Sequence, residues 1–244
     1  MANGQSGKAG VDRGNALGLI LLGLPKTGTT WLASVLAHDR SLELFDESDK
    51  IEQLWGRVDN VAILIAESVT DPLFLAGVEQ RRAALDALFQ RLPSRNHLLM
   101  LREPGDWICS LYRQYLRRGG SKDFRDFVAT RSRAVVDIRF ANFGRLVEEI
   151  SGRIEGTLAV CSYDRLSRDP RGFLNDLACA FDELALAPDL AASIPDAALS
   201  SRANVGLRGA AARTMRVLNR HRRTRWNPRG WFSWKRAERL PWHW

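Results

Sequence analysis

The stretch ALGLILLGLPKTGTTW, residues 16–31, decides the fold of this chain. Residues 16–22 form an apolar run that is too short to cross a bilayer, and no small-residue cleavage site follows it as in a signal peptide. A loop with two glycines comes next, and residues 29–36 then have the apolar spacing of a helix. A buried strand, a glycine loop and a helix in this order form an anion site, because backbone N–H groups and the helix N-terminus converge on a phosphate.

The rest of the chain alternates between predicted strands and helices. The apolar runs predict further strands at residues 41–45, 61–65, 97–102 and 157–161. Helical spacing and proline positions predict helices at residues 72–92, 104–116, 124–129, 135–150 and 170–184. This alternation is typical of an α/β protein, whose parallel sheet is flanked by helices on both faces.

Length and charge divide the chain into three parts. Residues 1–15 are small and polar and are predicted to be disordered, residues 16–212 form one domain, and residues 213–244 form a basic tail, here called the C-terminal tail. The net charge is +8, but residues 202–244 hold twelve Lys/Arg and one acid. The remaining 24 bases and 27 acids nearly cancel. A body so close to neutral argues against a nucleic-acid-binding domain.

The three cysteines, Cys109, Cys161 and Cys179, lack metal-binding spacing. This favours a reduced cytoplasmic setting and no structural zinc.

The lysine of the glycine loop is not where a nucleoside triphosphatase has it. The Walker A pattern places lysine directly after its second glycine. Gly23 and Gly28 have the required spacing, but Thr29 follows Gly28, and Lys26 lies inside the loop. The phosphate cradle is retained while the cation approaches from another direction, which weakens triphosphate hydrolysis as an interpretation. A plain tight turn would not explain Lys26 together with two glycines and three threonines.

PKTGTTW, residues 25–31, closely resembles the 5′-phosphosulfate loop of sulfotransferases that use 3′-phosphoadenosine 5′-phosphosulfate (PAPS). The resemblance implies the P-loop-like sulfotransferase fold. It also implies that Lys26 contacts the bridging oxygen and the 5′-phosphate and stabilises the charge of the leaving group. By the same resemblance, the phosphate and sulfonate are held by the following residues: Thr27, Gly28, Thr29 and Thr30. Trp31 would lie near the adenine.

Two further segments resemble the same family. LREPGDWICS, residues 101–110, is similar to its 3′-phosphate motif, which implies that Arg102 and Ser110 bind the 3′-phosphate. An arginine fork after a strand suits a phosphate, although a lone arginine there is more often an ion-pair partner. YDRLSRDP, residues 163–170, is similar to a segment whose tyrosine, here Tyr163, approaches the adenine, but a capped helix start would explain it equally well.

RANVGLRG, residues 202–209, is the segment that could correspond, by the same resemblance, to the family's late basic loop that closes over the 3′-phosphate. It departs from the usual Arg-Lys-Gly, and it makes Arg202 and Arg208 candidate ligands.

Sulfuryl transfer needs a base for the acceptor and requires no metal. Cytosolic members of the family use a mid-chain histidine, but His38 and His97 are not well placed for that role. Members acting on carbohydrates or protein tyrosine often have a glutamate near the acidic segment DESDKIE, residues 46–52. Glu47 is therefore the first candidate base, followed by Glu52 and Asp46. This pattern favours a sugar or glycolipid hydroxyl as the acceptor.

The C-terminal tail combines tryptophan with arginine. Five of the eight tryptophans lie in residues 226–244. Such a segment suits folding back over the body, a peripheral contact with anionic lipids at the inner face of the membrane, or another partner such as stacked bases.

Two other function classes are weighed against PAPS-dependent sulfotransfer. A P-loop kinase would require Mg²⁺ and a Walker A lysine, which this loop lacks. The second alternative is a non-catalytic binding module with a basic tail. The presence of Lys26, Arg102 and Ser110 argues against it.

Overall fold

The computed structural model describes residues 18–39, 42–46, 61–92, 94–129, 134–181, 190–200 and 209–233. Its centre is a sheet of five parallel strands in the spatial order β2-β3-β1-β4-β7. The strands of this sheet are β1 (Leu19–Gly23), β2 (Leu42–Asp46), β3 (Val61–Ile65), β4 (Asn96–Leu101) and β7 (Thr157–Ser162). A separate parallel pair is formed by β5 (Val128–Ala129) and β6 (Val136–Asp137). The predicted parallel α/β architecture is therefore confirmed.

Helices connect the strands and cover the sheet. Those before β7 are α1 (Thr29–Leu36), α2 (Val78–Arg91), α3 (Pro104–Arg117), α4 (Phe124–Phe127) and α5 (Phe143–Ser151), with a 3₁₀ turn at Ile138–Ala141. Those after β7 are α6 (Tyr163–Arg168), α7 (Pro170–Ala180), α8 (Leu190–Ser193), α9 (Asp196–Ser200) and α10 (Gly209–Asn219).

The two faces of the sheet belong to two separate apolar cores. In β1, Ile20 and Leu22 point into the core that contains α2, α3 and α5. Leu19 and Leu21 point to the opposite face, into the core that contains α1 and α7. All four are at most 1% exposed, as expected for the central strand of a sheet that is covered on both sides.

The strand order places a crevice beside β1. From β1 the chain first builds β3 and β2 on one side and then crosses to β4 on the other. In open parallel sheets, ligands bind outside the carboxyl ends of the strands at such a change of direction. The glycine loop after β1 and Arg102 after β4 both lie at this place.

Several predicted helices are shorter than the sequence pattern indicated. The helix predicted for residues 124–129 ends at Phe127, because Val128–Ala129 pairs with β6 as β5. The helix predicted from residue 72 begins at Val78, because the Asp71 carboxylate accepts the Leu73 N–H at 2.8 Å and holds residues before the helix in a turn. The helix predicted for residues 135–150 is broken, because Asp137 caps a 3₁₀ turn and Asn142 caps α5. Both carboxylate and amide side chains favour such caps.

The described part of the C-terminal tail packs on the body. Asn219 is fully buried and donates to the carbonyls of Leu116 at 2.7 Å and Gly120 at 2.8 Å. The Trp226 ring lies edge-on to Tyr115, with 5.3 Å between the centroids. Within the described ranges, no helix has the length and apolarity needed to span a membrane. A peripheral membrane contact of the tail stays a prediction.

Candidate active site

The loop between β1 and α1 has an unusual backbone. Lys26 has a φ of 73° and Gly28 a φ of 88°, both in the left-handed region that side chains with a Cβ rarely adopt. The turn is closed by Thr27, whose N–H and hydroxyl both donate to the Leu24 carbonyl, at 3.2 and 2.6 Å. Gly28 precedes α1 and supplies no side-chain cap. Gly28 therefore leaves the first N–H groups of α1 without a cap from its own side chain, and such N–H groups can bind an anion.

Neighbouring elements hold this loop in place. The Trp107 indole Nε1–H of α3 donates to the Pro25 carbonyl at 2.9 Å, and Trp107 is fully buried. The Thr70 hydroxyl donates to the Gly23 carbonyl at 2.8 Å. A Cβ on Gly23 would lie 1.9 Å from the Thr29 methyl group, so only glycine fits there. The loop is therefore fixed by α3 and by the segment after β3.

The three sequence segments meet at the carboxyl edge of the sheet. The Arg102 guanidinium lies over the Tyr163 ring, 4.7 Å from its centroid. A Cβ on Gly28 would lie 3.0 Å from the same ring, so the loop and the tyrosine are in contact. Asp106 is 3.7 Å from Arg102 and mostly exposed, which makes it a weak partner. Arg102 can therefore receive an anion beside the loop.

This architecture matches solved sulfotransferase structures. A sulfotransferase from Alicyclobacillus acidocaldarius superposes with a TM-score of 0.55 at 20% sequence identity, covering 77% of this chain and 86% of that chain. The chain has the sulfotransferase fold. The mouse sulfotransferase SULT7A1 complexed with PAP gives a TM-score of 0.47 at 16% identity, covering 78% of this chain and 68% of that chain. No protein-family model matches the chain, and no curated protein matches its sequence.

Lys26 lies in a strongly charged part of this sulfotransferase fold. Burial lowers the pKa of Lys26, and the positive charges of Arg117 and Arg118 lower it further. The carboxylates of Glu67 and Asp71 act in the opposite direction. The ammonium group is thus partly buried, and its attraction to an anion is stronger there than in water.

Glu67 is a site residue that the sequence interpretation missed. It follows β3 at the same edge of the sheet, and its carboxylate accepts a hydrogen bond from the Thr29 hydroxyl. Its charge also acts on Lys26. The position after a strand was visible in the sequence, but an isolated glutamate gives no sign that it contacts the loop.

The other predicted residues of the loop lie in different environments. Thr30 is exposed in the first turn of α1, whereas Thr27 and Thr29 are buried, with hydroxyls that donate within the protein. Trp31 is 9% exposed and belongs to the core on the α1 face of the sheet. Ser110 is partly exposed in α3.

Several candidates cannot be located at the site. Glu47, Glu52, Arg202 and Arg208 lie outside the described residues, and Asp46 ends β2 with an exposed side chain. His97 lies in β4, and burial lowers its pKa. His38 is exposed just after α1. Among the described residues, no cluster of His, Cys, Asp and Glu could hold a metal ion.

Proposed function

We propose that this protein transfers a sulfuryl group from PAPS to a hydroxyl or amine of an acceptor. The observation that supports the proposal is the position of Arg102 and Tyr163 against the glycine loop that carries Lys26, at the crevice of the sheet. A loop with its lysine inside suits a 5′-phosphosulfate. The arginine beside the loop suits a 3′-phosphate, and the aromatic ring suits an adenine.

The chemistry is a displacement at sulfur. The acceptor atom forms a bond to sulfur while the bond from sulfur to the bridging oxygen of the 5′-phosphate breaks, and adenosine 3′,5′-bisphosphate leaves. Lys26 would neutralise the charge that grows on that oxygen, and the loop N–H groups would bind the phosphate. Arg102 and Ser110 would hold the 3′-phosphate, with Tyr163 and Trp31 near the adenine. No step requires a metal.

The acceptor proton must go to a base, and a carboxylate fits best. Glu47 is the candidate from the sequence resemblance, with Glu52 and Asp46 after it. Glu67 is a further candidate, because it faces Thr29 and Lys26. Glu47→Gln and Glu67→Gln distinguish them: loss of the base should lower turnover about 10²–10⁴-fold without weakening nucleotide binding. If both variants turn over like the wild type, neither residue is the base.

The proposed acceptor is a carbohydrate or glycolipid hydroxyl. This assignment rests on the acidic segment at residues 46–52 and on the absence of a well-placed histidine among the described residues. A screen of phenols, sugars and glycolipids with labelled PAPS tests it.

Calorimetric titration separates sulfotransfer from the other functions. Adenosine 3′,5′-bisphosphate should bind without Mg²⁺ and more tightly than ATP, because the site has an arginine for a 3′-phosphate. A P-loop kinase would prefer ATP with Mg²⁺. Failure of the bisphosphate to bind would refute the proposal.

A further inference from the structure

A pocket lined with arginines lies on the described surface near the loop. Its volume is about 460 Å³. Its lining residues are Phe74, Arg118, Arg222, Arg223, Thr224 and Arg225. Arg118 follows α3, Phe74 precedes α2, and the remaining four belong to the C-terminal tail. The pocket therefore exists only because the tail packs on the body.

Stacking on an aromatic ring holds two of these arginines. Phe74 is 53% exposed. The Arg118 and Arg225 guanidinium carbons lie 5.1 and 4.9 Å from its ring centroid. Arg225 also stacks on Trp226 at 4.3 Å and donates to the Leu73 carbonyl at 2.7 Å. These contacts orient the guanidinium groups without neutralising them.

In the described part of the chain, one acid forms an ion pair with an arginine of the pocket. Asp71 is the acid that approaches Arg118, at 3.9 Å. Burial raises the pKa of Asp71, although Arg118, Arg225 and Lys26 all oppose that shift. Arg223 and Arg225 line the pocket beside Arg118, and their side chains make no ion pair with the described residues. An excess of guanidinium groups with Phe74 beside them is suited to a carboxylate, phosphate or sulfate group.

The pocket and the loop lie close enough to share one electric field. Arg118 lines the pocket and also acts on Lys26. The charges of Lys26 and Arg225 both act to lower the pKa of Asp71. The pocket is also connected to the loop by contacts, because Asp71, 3.9 Å from Arg118, directly follows Thr70, whose hydroxyl donates to the Gly23 carbonyl at 2.8 Å. Arg102 and Tyr163 form a separate contact with the loop at Gly28.

We propose that this pocket binds an anionic group of the acceptor, so that the enzyme sulfates an acceptor that already carries a phosphate, carboxylate or sulfate. That the anion belongs to the acceptor rests on the proposed sulfotransferase function. Anion binding itself rests on the pocket alone. Phe74 would contact an apolar face of the acceptor while the arginines bind its charge.

Inorganic phosphate is the probe for the pocket. Phosphate is titrated calorimetrically into the full chain after saturation with adenosine 3′,5′-bisphosphate. If that nucleotide does not bind, phosphate is titrated into the chain alone. Arg223→Ala is the test variant, because the side chain is exposed and has no hydrogen bond or ion pair with the described residues. Arg95→Ala is the matched control. It removes the same charge from an exposed arginine before β4, at the opposite edge of the sheet.

We expect Arg223→Ala to weaken phosphate binding about tenfold and Arg95→Ala to leave it unchanged. Equal phosphate affinity of Arg223→Ala and the wild type would overturn the inference, even if the bisphosphate binds normally. The opposite outcome, phosphate binding that depends on Arg223 without bisphosphate binding, would keep the anion site and refute sulfotransfer.

Transfer assays then distinguish the source of the anion. If the anion belongs to a soluble sugar phosphate, glucose 6-phosphate should be a better acceptor than glucose in assays with labelled PAPS. If the anion belongs to a lipid headgroup, phosphatidylcholine vesicles that contain phosphatidylglycerol should bind the wild type more tightly than Arg223→Ala. Absence of both preferences would contradict the assignment of the pocket to the acceptor.

Discussion

Replacing Asn219 by alanine tests whether the tail is a structural part of the domain. The Asn219 amide is fully buried and donates to two carbonyls, at 2.7 and 2.8 Å. Each neutral hydrogen bond contributes about 1 kcal/mol, and leaving a buried carbonyl without its donor costs about 1–3 kcal/mol. We therefore expect Asn219→Ala to lower the free energy of unfolding by about 2–4 kcal/mol. For a chain of this size, this corresponds to a fall in Tm of about 5–15 °C.

The assay is thermal and urea unfolding followed by circular dichroism. Asn142→Ala is the matched control, because Asn142 is exposed and caps α5 through one hydrogen bond to the Arg145 N–H at 3.1 Å. It should lose only about 1 kcal/mol. Asn219→Ala should also lose phosphate binding to the arginine pocket, which the tail completes. A change of less than about 0.5 kcal/mol for Asn219→Ala would refute this account of the tail.

The remaining predictions concern the site and the core. Arg102→Ala should weaken adenosine 3′,5′-bisphosphate binding about 10–100-fold in calorimetry but leave adenosine 5′-phosphate nearly unchanged, because only the 3′-phosphate contact is lost; equal losses for both nucleotides would contradict that role. Since the pKa of Lys26 lies below its usual 10.5, affinity for the bisphosphate should fall as the pH rises through this lowered pKa. This decrease in affinity should therefore occur at a lower pH than for an ordinary lysine. Lys26→Met should bind the bisphosphate more weakly, and its affinity should not decrease over that pH range. Glu149→Ala should cost about 3–5 kcal/mol in urea unfolding, because it leaves buried Arg81, now 2.9 Å from the carboxylate, without its partner; a loss below about 1 kcal/mol would show that the pair is not stabilising.

The parallel sheet could be predicted because its signals are local. The apolar runs at β1, β3 and β4 are short and bounded by turn residues, so each is recognisable without knowledge of its neighbours. The predicted helix at residues 29–36 has the bounds of α1. The breaks near Val78 and Asn142 were missed because side-chain caps compete with helical apolar spacing, and a pattern alone does not show which prevails.

The candidate site was only partly predictable for a related reason. Lys26, Arg102 and Tyr163 belong to segments that resemble a known family, so their common location could be expected. Glu67 and the arginine pocket depend on contacts between residues distant in the chain, such as Thr29 with Glu67 and Phe74 with Arg225. No spacing rule in a single sequence reports such contacts.

The central claim is sulfuryl transfer from PAPS, and transfer of a sulfur label tests it most directly. The wild type and Lys26→Met are incubated with sulfur-labelled PAPS and a set of acceptors including glucose 6-phosphate, in the presence of EDTA. We predict labelled acceptor and an equal amount of adenosine 3′,5′-bisphosphate with the wild type, and at least about a hundredfold less with Lys26→Met. Label transfer by Lys26→Met at the wild-type rate, or no transfer by the wild type to any acceptor despite tight bisphosphate binding, would contradict the account.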